Sequence, residues 1–174
     1  IVVGINTVLR DDPLLTCRLE GGRNPRRIII DSNAFLPLRS RILNTIHESE
    51  IIVAVNKNAQ QGRIEKLEQL GCTIIQTQDK SDRVDLKDLF RKLGKMKLTN
   101  ILVEGGSRVI TSIIEERLAD KVIVFIAPII IGGEEAQSPI LGKGVDTVDK
   151  AMKINEITVK SFSHDIAIEG ILEC

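Results

Sequence analysis

Short β-branched runs alternate with helix-period segments along this chain of 174 residues. No other feature constrains the fold as strongly. The runs lie at 27–31, 51–55, 73–76, 100–104, 122–126, 154–161 and 166–172. Between several of them, 61–70, 84–93 and 107–118 carry apolar residues at helical spacing. These are Ile64, Leu67 and Leu70 in the first, Leu86, Leu89, Phe90 and Leu93 in the second, and Val109, Ile110, Ile113 and Ile114 in the third. Gly71 and Gly94 are placed to stop the first two. Such alternation predicts parallel strands joined by helical crossovers. The last two runs have no helix between them and read as an antiparallel hairpin. The expected fold class is α/β, a three-layer α/β/α sandwich whose mixed, mainly parallel sheet ends in that hairpin. With no internal repeat or linker, residues 1–174 read as a single domain. Ile1-Val2-Val3-Gly4 reads as the inside of a strand, so further residues are expected ahead of it.

Composition removes several function classes. Lys plus Arg and Asp plus Glu number 24 each, which argues against nucleic acid or an anionic membrane as a general partner. With no Trp or Tyr and four Phe, stacking platforms for bases are scarce. Cys17, Cys72 and Cys174 are far apart and odd in number, so a reducing, cytoplasmic setting fits better than a disulfide framework. No apolar run approaches the roughly 18 residues that span a bilayer. His47 and His164 are isolated, with no metal-ligand spacing. No GxSxG elbow points to a serine hydrolase.

Three segments carry more than structure. In the first, residues 4–18, a strand end leads to Thr7, Asp11 and Thr16, which can hydrogen-bond from a loop, and to Arg18, whose planar fork suits phosphate. The same stretch also reads as an N-cap and turn at Asp11-Asp12-Pro13 with a solvated Arg18. In the second, Ile101-Leu102-Val103-Glu104-Gly105-Gly106-Ser107 delivers a carboxylate, two glycines and a helix start. That helix start favours phosphate, although a tight βα turn capped by Ser107 has the same sequence. The third is Asp31-Ser32-Asn33 at a strand end, where polar groups meet a ribose or phosphate or merely cap a turn. Gly132-Gly133, after Ala127-Pro128, is either a turn or part of a pocket lining.

Taken together, Thr7-Val8-Leu9, Asp11-Asp12-Pro13, Leu15-Thr16, Arg18, Asp31-Ser32, Glu104-Gly105-Gly106 and Ile126-Ala127-Pro128 before Gly132-Gly133 resemble the signature of the riboflavin-biosynthesis reductases. The resemblance runs from about Gly4 to Glu169. It is nearest to the C-terminal reductase domain of the bacterial bifunctional deaminase/reductase.

The resemblance implies a dihydrofolate reductase-like fold and the NADPH-dependent reduction of 5-amino-6-(5-phosphoribosylamino)uracil to its ribitylamino product. It implies cofactor contacts at Thr7, Asp11 and Ser32 and along Gly106, Ser107, Arg108, Val109, Ile110, Thr111 and Ser112. It implies substrate contacts at Leu15, Arg18 and Glu104, a homodimer, and no metal. Many such reductases carry a basic residue near Phe35, where it could help read the 2′-phosphate, and Phe35 cannot do so. A diaminopyrimidine substrate, another pterin or folate reduction, and a non-catalytic nucleotide-binding module remain the alternatives.

Overall fold

A computed structural model describes residues 1–80, 82–133, 136 and 138–173, the side chains of Asp79 and Lys80 excepted. Cys174, counted above among the cysteines, lies outside the described residues. The chain divides into two compact units, Ile1–Ile110 and Thr111–Cys174.

In the first unit the order is β1 (Val2–Gly4), α1 (Ile5–Asp11), β2 (Arg27–Ile30), α2 (Arg41–Asn44), β3 (Ile51–Val55), α3 (Gln61–Gln69), β4 (Thr73–Gln76), β5 (Asp79–Lys80), β6 (Arg83–Val84), α4 (Leu86–Lys95) and β7 (Val103–Gly105). Helix α5 (Ser107–Glu115) begins there and continues in the second unit. Five parallel strands pair in the order β4-β3-β2-β1-β7, while β5 and β6 form a small antiparallel ribbon. The central register sets Val3 beside Ile29 and Ile29 beside Val53. Side chains alternate across a strand, so Val3, Ile29, Ile51, Val53 and Val55 share one face. They cluster with Val8 of α1, Ile42 and Leu43 of α2, and Ile64 and Leu67 of α3. Val2, Ile28, Ile52 and Ala54 alternate with these and are equally buried. A strand buried on both faces needs apolar residues throughout, which explains the unbroken runs Ile28-Ile29-Ile30 and Ile51-Ile52-Val53. Full burial of one such side chain is worth about 1.5–3 kcal/mol.

The predicted crossovers are present, with two differences. Helix α3 ends as expected: Gly71 sits at φ +94° and its N–H donates to Glu68 O at 2.8 Å. Gly94 does not stop α4, which runs through it to Lys95 because Leu93 is fully buried and Leu98 N–H still closes onto Leu93 O. Asp85 caps α4 by accepting the Asp88 N–H at 2.9 Å. Asp88 accepts from Lys92 (2.8 Å), Arg91 and the Gln78 N–H. Those partners, Lys92 foremost, hold its carboxyl at about 2. The second difference is α1. Residues 5–11, read as a hydrogen-bonding loop, form a helix because one helical turn buries Val8 in the core, and it ends at Asp12 in left-handed geometry just before Pro13.

In the second unit, β8 (Lys121–Ile126), β9 (Ile154–Phe162) and β10 (Asp165–Leu172) form an antiparallel sheet in the order β8-β10-β9. The predicted hairpin is its β9–β10 pair, with Ile166 opposite Ser161. The parallel strands of this α/β chain thus form one hydrogen-bonded sheet and β8, β9 and β10 another, with the β5–β6 ribbon separate from both.

Candidate active site

The sheet order brings together the ends of the strands that open the three segments. From β1 the chain moves to β2 on one side, whereas β7 lies against the other side of β1. The direction of winding therefore reverses between β1 and β7. In parallel sheets such a reversal leaves a crevice beyond the carboxyl ends of the strands, where ligands bind. Residues 4–18 leave β1, residues 104–112 leave β7, and Asp31-Ser32 leave β2.

Glycine allows the helix starts after β1 and β7 to close on each other. A Cβ on Gly4 would lie 2.9 Å from Val109 Cγ2, and one on Gly105 would lie 3.0 Å from Thr7 Oγ1. Gly106 takes φ +86°, which any side chain would strain. The Thr7 hydroxyl thus faces the Gly105-Gly106 turn, at the positive end of the α5 dipole. At that end the Val109 and Ile110 N–H groups both donate to Gly106 O, at 2.8 and 3.0 Å. Val109 and Ile110 are half-buried, and Arg108 and Asp11 are exposed. Within the second unit, the Thr111 hydroxyl donates to Leu141 O (3.2 Å) and accepts the Leu141 N–H (2.7 Å), so this side chain fastens the 138–142 segment. Ser112, next in the helix, is half-buried.

Residues 12–26 form a long excursion held at several points. Asp12 Oδ1 accepts the Arg41 N–H at 2.8 Å, and Asn24 Oδ1 accepts the Cys17 N–H at 2.7 Å. Leu15 takes φ +54°, an unfavourable conformation for a non-glycine residue, while packing partly buried against the core. Arg18 is exposed, and among the described residues no hydrogen bond or ion pair engages its guanidinium.

Sequence reasoning missed the residue that supports this loop. Arg27 opens β2 and is fully buried. Its Nη1 donates to Leu14 O (3.3 Å), Ile42 O (3.4 Å) and Thr45 Oγ1 (2.6 Å). Its Nη2 donates to Thr45 O (2.8 Å) and Ser49 O (2.6 Å). Burial pulls this guanidinium below its ordinary value, with Glu48 acting in the opposite direction. The available signal was an arginine at the head of a strand otherwise wholly apolar.

At the end of β2, Asp31 is 1% exposed. Its Oδ2 accepts the Leu36 N–H at 2.7 Å, and Oδ1 is buried without a partner. Burial pushes its carboxyl up, and backbone N–H groups of the 31–36 turn pull it back. Ser32 Oγ accepts the Val84 N–H at 3.2 Å, leaving its own proton to donate. Glu104 and Phe35 are exposed. Among the described residues no hydrogen bond or ion pair joins Arg18, Ser32 or Glu104 to Thr7.

Residues 1–168 match the family described as the RibD C-terminal domain. The chain belongs to this family. It is 34% identical over 172 residues to the riboflavin biosynthesis protein RibD of Actinobacillus pleuropneumoniae, covering 99% of this chain and 46% of that protein. It is also 34% identical, over 97% of this chain and 77% of the relative, to the 2,5-diamino-6-ribosylamino-4(3H)-pyrimidinone 5′-phosphate reductase of Methanothermobacter thermautotrophicus. Among solved structures, Acinetobacter baumannii RibD superposes with a TM-score of 0.80 at 23% identity, over 99% of this chain and 46% of that one. The riboflavin biosynthesis reductase Rib7 of Saccharomyces cerevisiae gives 0.74 at 21%, over 99% and 74%. These similarities establish the α/β fold of the family. The chain spans about half the length of the RibD relatives it matches.

Proposed function

We propose that this chain is the reductase of riboflavin biosynthesis that takes hydride from NADPH to reduce 5-amino-6-(5-phosphoribosylamino)uracil to its 5-phosphoribitylamino product. The observation that carries the reading is the meeting of the three matched segments beyond β2, β1 and β7, in a chain of the RibD C-terminal domain family. The diamino compound named for the archaeal relative is the alternative substrate.

The residues suit a dinucleotide. The cradle would be the backbone of the Gly105-Gly106 turn at the start of α5, where a Cβ on Gly4 would meet Val109 and one on Gly105 would meet Thr7. Gly106 through Ile110 would hold the cofactor phosphates, with Thr7 and Asp11 alongside and Ser32 at the adenosine ribose. Thr111 and Ser112 would secure the helix behind them. A bound nicotinamide would supply the hydride that reduces the ring-opened, imine form of the ribosylamine at C1′, with a proton from solvent at the adjoining nitrogen. The protein's own part is orientation and exclusion of water. Arg18 would grip the substrate 5-phosphate, Leu15 would line its path, and Glu104 would accept a hydrogen bond from a substrate hydroxyl or amine. Arg27 would keep the Leu14–Arg18 stretch in its strained geometry.

The two units would act as one reductase domain in the cytoplasm. No helix among the described residues is long and apolar enough to cross a membrane. A homodimer is part of the proposal: Val124, Ile126, Ile157, Val159 and Ile166 lie exposed on one face of the second sheet, an apolar area that a second copy would cover.

The test is steady-state oxidation of NADPH with each pyrimidine phosphate. Turnover with the uracil substrate, and weaker turnover with the diamino compound, is expected. No oxidation with either would overturn the proposal. Sedimentation at micromolar concentration should give a dimer, and monomer alone would reject that part.

A further inference from the structure

We propose that Arg63 selects a cofactor carrying a 2′-phosphate by pairing its guanidinium with that phosphate beside the 31–36 turn. This rests on the reading above, which sets the adenosine ribose at Ser32.

The argument starts from the carboxylate at the end of β2. In dinucleotide folds an acidic side chain near this point binds a free 2′-hydroxyl and rejects a 2′-phosphate, whereas a nearby arginine accepts the phosphate. Here the acidic residue, Asp31, is turned inward. It is 1% exposed, and its Oδ2 is committed to the Leu36 N–H at 2.7 Å. Neither oxygen of Asp31 is thus presented to a ribose at this strand end.

A guanidinium stands against the same turn. Arg63 lies in the first turn of α3, which follows β3, the neighbour of β2 in the sheet. Its Nε donates to Ala34 O and its Nη2 to Leu36 O at 3.1 Å. Ala34 sits at φ +56°, so these bonds hold a strained turn as well as the arginine. An arginine has five N–H donors and two are used, which leaves three, both of those on Nη1 among them. The side chain is half-buried, and no carboxylate pairs with it among the described residues. Asp31, the acid its charge acts on, is shut inside the turn. A fixed, partly dehydrated, unpaired guanidinium is suited to a doubly charged phosphate and unsuited to a neutral hydroxyl. Phe35 and Asn33 are exposed on the same turn.

The experiment compares adenosine 2′,5′-bisphosphate with adenosine 5′-phosphate, and NADPH with NADH, by calorimetric titration of the whole chain. The wild type is expected to bind the 2′-phosphorylated member of each pair about tenfold or more tighter. Arg63→Gln should lose about ten- to a hundredfold for those members and change by less than about threefold for the others. Arg63→Lys, keeping the charge without the fork, should fall between. Phe35→Glu alters an exposed position, so the fold is not at stake. Its added carboxylate should weaken the 2′-phosphorylated ligands selectively. Equal losses for both members of a pair in Arg63→Gln would make Arg63 a fastener of the turn and overturn the inference. So would equal wild-type affinity within each pair, which would leave the reductase reading standing. A wild type that binds none of the four ligands would overturn both.

Discussion

Replacing Arg27 with methionine removes the buried guanidinium and leaves a side chain of similar length. Five hydrogen bonds disappear, but their acceptors do not suffer equally. Thr45 O still accepts the Glu48 N–H at 3.0 Å, and Ile42 O still accepts the Thr45 hydroxyl at 3.0 Å. Leu14 O and Ser49 O lose the partner that Arg27 gives them. Two stranded carbonyls cost about 2–6 kcal/mol at ~1–3 kcal/mol each. Part of this is offset, because a cation with no carboxylate bound to it no longer has to be dehydrated. A net loss of roughly 2–4 kcal/mol is expected, and at ~2–4 °C per kcal/mol for a chain of this size the melting temperature should drop roughly 5–15 °C. Freed of Leu14, the 12–18 loop should also relax the strain at Leu15. KM for the pyrimidine phosphate should therefore rise more than that for the cofactor. Arg27→Lys should recover only part of either loss, since one ammonium cannot reach both the Leu14 and the Ser49 carbonyl. The assays are thermal unfolding by circular dichroism and steady-state kinetics below the transition. An Arg27→Met variant that melts within about 2 °C of wild type with an unchanged KM would refute the reasoning.

Arg18→Ala should lower kcat/KM about ten- to a hundredfold on the phosphorylated substrate and little on its dephosphorylated analogue; equal loss on both would show that Arg18 is not the phosphate anchor. Gly106→Val puts a β-branched residue at φ +86° and should weaken cofactor binding by titration far more than it lowers the melting temperature, with unchanged affinity counting against the cradle. Asp88 has a folded-state pKa of about 2, below the ordinary 3.8. The stability it contributes is present above that ordinary value and is lost as the pH falls through it towards 2. Asp88→Asn should accordingly be less stable than wild type in denaturant at neutral pH and lose less on acidification, while parallel losses in the two proteins would exclude this role.

Much of the local structure was legible because it depends on local periodicity. The all-apolar runs at Ile28-Ile29-Ile30 and Ile51-Ile52-Val53 could only be strands buried on both faces. Ile64 and Leu67, followed by Gly71, defined α3 and its end. The site segments were legible too, since Gly105-Gly106 before Ser107 describes a backbone that must pass close to something. The spatial meaning of these features came from pairing over long sequence distances. Nothing local says that β7 lies against β1 rather than beyond β4, yet that order alone sets Thr7 against Gly105 and creates the reversal where a ligand fits. Residues 5–11 became helical because the core had room for Val8, and α4 ran through Gly94 because burying Leu93 outweighs a glycine's helix penalty of about 1 kcal/mol. Arg27 and Arg63 show the same division. In the sequence each is one charge among 24 basic residues. Only the folded chain supplies the carbonyls that make one a buried support and the other a fixed cation at the strand ends, because a charge acquires its role from partners that the chain brings to it from far away.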